Sequence, residues 1–243
     1  MFYLRTFFFV VWVLLSALIA IPVSFFRLGN TNNNQLYGRF FGRLGRFTLG
    51  IRVTTQGREH LTKHQPCVYV VNHQSAADLA LLAHVFPPHT VLIGKKELMY
   101  IPIWGLMYWA FGNILIDRKD RNHSITGLKK ALEIMKKNRS SVWIFAEGTR
   151  NSSTESLLPF KKGAFYMAES AQIPIVPIVC APVHDAISFK QHRLKPALFP
   201  IRVLPPIAPP ISGNKKNLQE VMDHTYQAMN FAFQQLKKDI KIG

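Results

Sequence analysis

The chain opens on an unbroken apolar stretch. Thr6 to Phe26, TFFFVVWVLLSALIAIPVSFF, runs without a formal charge. As a helix it would extend about 30 Å, the thickness of a bilayer's hydrocarbon core. No polar face interrupts it, which argues against a helix buried in a soluble core. No clear Ala-x-Ala site follows it, which argues against a cleaved signal peptide. Pro22 is expected to kink or end the helix. After a polar break, TNNNQ, Leu36, Phe40, Leu44 and Phe47 recur at helical spacing, and Arg39, Arg43 and Arg46 form a second stripe. This predicts a short helix, either lying in a membrane interface or packed on the domain that follows. Its glycines weaken it in isolation.

From about residue 51 the pattern changes to short β-favouring runs alternating with helical periods. IRVTTQG, CVYVVN (67–72), TVLIG, NILID (113–117), SVWIFA (141–146), IPIVPIV (173–179) and residues 198–204 read as strands. Residues 76–86, 123–138, the segment beginning at Gly163, and 218–236 read as helices. The 99–112 stretch, MYIPIWGLMYWAFG, is apolar and aromatic but broken by Pro102 and Gly105. It suits a groove wall, a lipid contact or the core. The fold expected is α/β: a mostly buried β-sheet flanked by helices, preceded by a hydrophobic helical anchor. The division is 1–50 for the anchor and 51–243 for one α/β domain.

Charge sharpens this picture. The 243 residues carry a net +17, with 48% hydrophobic residues, a content that excludes a disordered chain. Residues 1–58 hold seven arginines and no acid. One arginine precedes the apolar run and four follow closely, so the positive-inside rule puts the bulk of the chain on the cytoplasmic side of an inner membrane, against its anionic leaflet. A full span of the bilayer and a hairpin with residues 35–49 entering one leaflet are both open. Nucleic acid is disfavoured as a partner, because the arginines are interleaved with apolar helix faces. Two cysteines, Cys67 and Cys180, exclude a disulfide scaffold and read as small core residues.

Three strand ends carry chemistry. VNHQSAAD sets Asn72 at a strand end, with His73 and Asp78 five residues apart across a strand-to-helix turn. There a carboxylate can fix the imidazole tautomer and the histidine can act as general base. GNILIDR ends in Asp117 and Arg118. WIFAEGTRNS ends in Glu147, Gly148, Thr149 and Arg150. Ligands of open α/β sheets bind outside the carboxyl ends of strands, so the three converge on one site. Arginine there suits a phosphate, and PFKKGAF adds Lys161 and Gly163. Structural roles compete: an ion pair for Asp117 or Glu147, a solvated turn for the lysines. No metal is implied, since H-x4-D is not a zinc signature.

These blocks resemble the 1-acylglycerol-3-phosphate acyltransferases of the glycerolipid acyltransferase superfamily. Asn72, His73 and Asp78 match N-H-x-x-x-x-D. Gly112 to Arg118 match the second block, Phe145 to Asn151 the third, and Ile173 to Val179 the apolar fourth. Pro159 to Gly163 match P-F-K-x-G. The third block departs only at Asn151, where serine is common. The resemblance implies acyl transfer from acyl-CoA or acyl-ACP to the 2-hydroxyl of lysophosphatidate, giving phosphatidic acid, with no further cofactor and acyl carrier protein as one possible donor partner. It implies His73 and Asp78 as catalytic residues. It implies Asn72, Asp117, Arg118, Glu147, Gly148, Thr149, Arg150, Lys161 and Gly163 as substrate-binding ones. Rival readings are another lyso-lipid acceptor such as lyso-ornithine lipid, a thioester or lipid hydrolase, and a non-catalytic anionic-lipid-binding protein.

Overall fold

A computed structural model describes the chain except Met1, Ala76, Pro102, Ile103, 118–120, Lys190 and Gly243, and except the side chains of Leu79 and 121–124. In chain order the elements are α1 (Phe2–Phe25), α2 (Asn32–Leu49), β1 (Ile51–Gln56), α3 (His60–Lys63), β2 (Val68–Val71), α4 (Asp78–Leu82), β3 (Thr90–Lys95), α5 (Trp104–Ala110), β4 (Ile114–Ile116) and α6 (Arg121–Asn138). They continue with β5 (Ser141–Phe145), α7 (Gly163–Ala171), β6 (Ile175–Cys180), β7 (Ile187–Ser188), β8 (Arg193–Leu194), β9 (Ala197–Val203), α8 (Lys215–Asp239) and β10 (Lys241–Ile242). A 3-10 turn, Lys96–Tyr100, follows β3.

The main sheet has the order β1-β9-β6-β2-β5-β3-β4, with β10 pairing β9. The run β6-β2-β5-β3-β4 is parallel, and β9 turns antiparallel to β6. Helices cover both faces, so the central strands are apolar on both sides: VYVV of β2 and IVPIVC of β6 are buried at every position. The parallel run brings the carboxyl ends of β2, β5, β3, β4 and β6 to one edge. On β5, alternation sends Trp143 and Phe145 to one face and Val142 and Ile144 to the other.

The sequence expectation of α1 and α2 holds in outline, with two differences. Pro22 lies inside α1, which continues to Phe25. The asparagines of the polar break belong to α2, where Asn34 and Asn113 exchange amide hydrogen bonds of 2.8 Å each way. That pair fixes α2 to the β3 and β4 edge, since Asn113 also accepts from Leu92 N at 2.9 Å. The glycines that weaken an isolated helix here form its contact face. Gly38, Gly42 and Gly45 are buried, and a Cβ at Gly42 would stand 2.7 Å from Ala83 Cβ.

α1 is long and apolar enough to cross a membrane by length and composition. In the fold it lies along the rest of the chain. Phe2 packs on the His192 ring at 5.2 Å, and Arg5 Nε donates to Thr48 O at 3.0 Å. Past its other end, Gly29 N donates to Ala110 O at 2.9 Å. Ala17 and Ala20 bury against Met107 and Phe111 of the α5 region. The opposite face leaves Phe7, Phe8, Leu14, Leu15, Leu18 and Ile19 exposed. It continues over Leu36, Phe40, Leu44 and Phe47 of α2, an apolar surface far larger than a soluble chain tolerates.

Candidate functional site

The site begins where the apolar run of β2 meets Asn72. Its side chain donates to Cys180 O at 3.0 Å and accepts from Cys180 N at 2.8 Å, tying the ends of β2 and β6 together. The chain then turns through His73 into α4. Asp78, fully buried at the start of that helix, gathers the turn: its Oδ2 accepts from His73 Nδ1 at 2.8 Å, Gln74 N at 2.6 Å and Ser75 N at 2.9 Å. A carboxylate oxygen accepts only, so the proton sits on Nδ1 and the lone pair on Nε2. The imidazole also stacks on Phe145, centroids 4.1 Å apart and planes 20° from parallel. It stays 19% exposed.

Glu147 braces this turn from the next strand. One carboxyl oxygen accepts from His73 N and the other from Leu158 N, both at 2.8 Å. Burial pushes its pKa up, and those two backbone donors, with the Asn151 side chain, pull against that rise. Gly148 follows with φ of +70°, a conformation that favours glycine, and a Cβ there would meet Lys161 Cγ at 3.2 Å. The stem of Lys161 therefore crosses the Gly148 turn. Thr149, Arg150 and Lys161 are exposed around it. Asn151 N donates to His73 O at 2.7 Å, and the Asn151 amide closes its own loop onto Ser153 and Ser156. Its departure from serine is accommodated by local hydrogen bonds.

Among the sequence candidates, the His73 and Glu147 turns are thus joined directly, with Gly148, Thr149, Arg150 and Lys161 beside them. Gly163 opens α7 against Leu128. Asp117 ends β4, two strands from β5 and so about 10 Å away along the sheet edge. It pairs with Lys96 at 3.5 Å. Arg118 lies outside the described residues. Phe145 opens the third sequence block and Gln74 lies in the first, but neither carries a site role in the sequence reading. The register pairs Phe145 with Val71, two residues before His73. The Gln74 amide is buried with neither polar atom partnered. The placing of Phe145 under His73 comes from this pairing across strands, which the block alone does not convey.

Two cavities approach Phe145. One, about 70 Å³, is walled by Tyr37, Phe41, Trp104, Met107, Phe111 and Trp143 and reaches Asp78. Of the roles left open for the 99–112 segment, this cavity makes it a groove wall against the sheet, with α2 as a further wall. The other, about 390 Å³, lies among Ile93, Ile116, Leu128 and Ile144, with Gly148, Lys161 and Gly163 at its rim. Among the described residues no group of histidine, cysteine and carboxylate side chains is placed to hold a metal ion.

The family model described as Acyltransferase matches residues 52–181. The chain is 36% identical over 233 residues to human 1-acyl-sn-glycerol-3-phosphate acyltransferase alpha, covering 96% of this chain and 81% of that one. It is 32% identical over 241 residues to the 1-acyl-sn-glycerol-3-phosphate acyltransferase of Haemophilus influenzae, covering 99% and 98%. The chain belongs to the 1-acyl-sn-glycerol-3-phosphate acyltransferase family. Its fold is that of the Thermotoga maritima 1-acyl-sn-glycerophosphate acyltransferase crystal structure, with a TM-score of 0.74 at 21% identity over 98% of each chain. In this acyltransferase both cysteines are buried. Burial raises the Cys67 thiol to about 11 and, with the Asp78 and Glu147 charges, raises Cys180 well above its usual value. Protonated and enclosed, neither is equipped to carry an acyl group.

Proposed function

We propose that this chain transfers an acyl group from a thioester, acyl-CoA or acyl-ACP, to the 2-hydroxyl of 1-acylglycerol-3-phosphate, giving phosphatidic acid. His73 acts as general base and Asp78 orients it. The observation that carries this reading is the 2.8 Å bond from His73 Nδ1 to a fully buried Asp78, which leaves Nε2 for the acceptor hydroxyl. Nε2 takes the hydroxyl proton as the oxygen attacks the thioester carbonyl. The new C–O bond replaces the C–S bond, and the proton passes from Nε2 to the departing thiolate. The inaccessible cysteines favour this direct transfer over an acyl-enzyme.

Arg150 receives the acceptor phosphate, with Lys161 beside it and Arg118 assisting. Gly148, Thr149 and Gly163 shape that side. Glu147 and Asn72 serve by fixing the turns, since their polar atoms are spent on backbone groups. Asp117 holds Lys96 at the outer edge of the site. Of the apolar spaces on either side of Phe145, the one of about 390 Å³ suits an acyl chain, and the one of about 70 Å³ takes only the few methylenes of a chain end.

Residues 1–50 form the anchoring unit, and 51–243 the catalytic domain on the cytoplasmic side. Because α1 is held along the domain at both ends, the helix pair is read as a hairpin entering one leaflet. The lyso-lipid then reaches His73 without an acyl chain crossing water, a cost of roughly 0.8 kcal/mol per methylene. The test is transfer to lysophosphatidate by the wild type and by His73→Ala, with both donors. Loss of lyso-lipid-dependent thiol release in a folded His73→Ala protein is expected, and retained transfer would overturn the assignment.

A further inference from the structure

Away from the reacting groups, four basic side chains meet on the outer side of α4. Arg46 Nη1 donates to Ala80 O at 3.4 Å. Arg58 Nη2 donates to His84 O at 3.2 Å, and its Nη1 lies 3.3 Å from His84 Nε2. Arg43 stands next to Arg46 on the same stripe of α2. Among the described residues, none of the four has a carboxylate partner. The neighbouring Glu59 turns to His60 at 3.9 Å instead. A guanidinium has five N–H donors, so both arginines keep most of theirs unspent after these bonds. The crowding is felt within the cluster. Burial and Arg43 work against the charge of Arg46. Burial, then Arg46 and Arg58, hold the His84 imidazole down at about 4. Three guanidinium cations without a counter-ion, with the neutral His84 imidazole beside Arg58 and Arg46 already partly desolvated, are organised for an anion.

Its position says which anion. On α2 the arginine stripe borders the exposed apolar stripe of Phe40, Leu44 and Phe47, the last of them 79% exposed. Arg58 follows β1, which runs antiparallel to β2, so its side of the cluster belongs to the sheet edge opposite the His73 turn. The reacting lipid at His73 does not occupy it. We infer that Arg43, Arg46, Arg58 and His84 form a binding site for the phosphate headgroup of a non-reacting anionic lipid in the leaflet that the helix pair enters. The inference rests on the membrane-facing reading of α1 and α2, and it is separate from the catalytic assignment. Planar guanidinium forks take the phosphate oxygens, and Leu44 and Phe47 meet the acyl chains.

The experiment is flotation of the full-length protein with phosphatidylcholine vesicles, with and without phosphatidylglycerol. The proteins compared are the wild type, Arg46→Gln/Arg58→Gln and a control, Lys129→Gln/Lys136→Gln on the remote helix α6. At about 1 kcal/mol per basic group near an anionic surface, the first variant loses roughly thirtyfold of the preference for anionic vesicles. Its binding to pure phosphatidylcholine stays at the wild-type level, which also reports an intact anchor. An equal loss in the lysine control would reduce the effect to net charge and overturn the site. So would an unchanged preference in the arginine variant, or an equal fall on both vesicle types. Displacement of wild-type protein from anionic vesicles by soluble glycerol phosphate or coenzyme A would assign the cluster to a soluble anion instead. If the protein fails to bind any vesicle, the membrane-facing reading itself falls. Binding is read without turnover, so loss of acyl transfer leaves the result interpretable.

Discussion

The imidazole of His73 lies face to face with Phe145, 4.1 Å between ring centres, while its Nδ1 is held by Asp78. The carboxylate fixes one edge of the ring and the phenyl fixes its plane. Replacing Phe145 with leucine keeps an apolar floor and removes the flat support. Aromatic pairs contribute about 0.5–1.5 kcal/mol beyond their buried area. Phe145→Leu is therefore expected to lower kcat up to about tenfold with little change in KM for lysophosphatidate, whereas His73→Ala costs roughly 10²–10⁴-fold. Steady-state kinetics on both variants checks this, and a KM-only effect in Phe145→Leu would remove its positioning role.

Glu147 offers two acceptors to two backbone donors. In Glu147→Gln one oxygen becomes an NH2 group facing an N–H, leaving a buried donor unmatched at a cost of about 1–3 kcal/mol. A lower thermal midpoint together with reduced transfer is expected, because the same bond holds the His73 turn. A variant of wild-type stability and activity would show that the turn stands without it.

Arg150 and Lys161 flank Gly148 at the exposed side of the site. Hydrogen bonds to charged groups contribute about 1.5–3 kcal/mol. Arg150→Ala is thus expected to raise KM for lysophosphatidate roughly tenfold to a hundredfold, and Lys161→Ala less. KM for the thioester should hold nearly constant. A rise confined to the donor would move the phosphate assignment elsewhere.

Trp104 walls the cavity that reaches Asp78 and meets Phe41 edge-on at 6.2 Å. Trimming it in Trp104→Ala lengthens that space. Chain-length preference should shift toward longer acyl groups, read from product composition with mixed donors and with lyso-acceptors of graded length. No shift with either substrate would exclude this cavity as a chain site.

The His84 imidazole is held at about 4, below the 6.5 of the free group, by burial and then by Arg46 and Arg58. As pH falls, the unfolded chain therefore takes up this proton first. Its contribution to stability is intact above about 6.5 and declines between 6.5 and 4. The half-exposed position makes the effect modest through solvent screening. His84→Gln, neutral throughout, should lose less thermal stability over that window, and parallel midpoint curves for the two proteins would refute the shift.

Most strands were legible because the buried parallel sheet writes itself as short apolar runs: the residues of β2, β4, β5 and β6 fall at or within one or two positions of the expected spans. The turns that follow were legible as chemistry, since His73 and Asp78 lie within five residues. Less could be read where partners are distant in sequence. The helix expected over 76–86 is shorter, Asp78–Leu82: Asp78 ties its start to the turn before it, and beyond Leu82 the backbone closes in three-residue turns, His84 N to Leu81 O and Val85 N to Leu82 O. Phe145 under His73, and the glycine face of α2 against Ala80 and Ala83, arise from register and close approach. The small pair β7 and β8, too short to carry a periodic signal, passed unnoticed.

The exchanged amides of Asn34 and Asn113 give the helix pair a second duty. Tyr37 and Gly38, one turn along from Asn34, and Phe41, two turns along, are walls of the cavity beside Asp78. The helix that exposes Phe40, Leu44 and Phe47 on its outer side thus bounds the cavity beside Asp78 on its inner side. With the helix pair proposed as a leaflet-facing anchor and this cavity as a chain site, lateral pressure in the leaflet would bear on that boundary directly, and the physical state of the membrane would then be an input to chain preference.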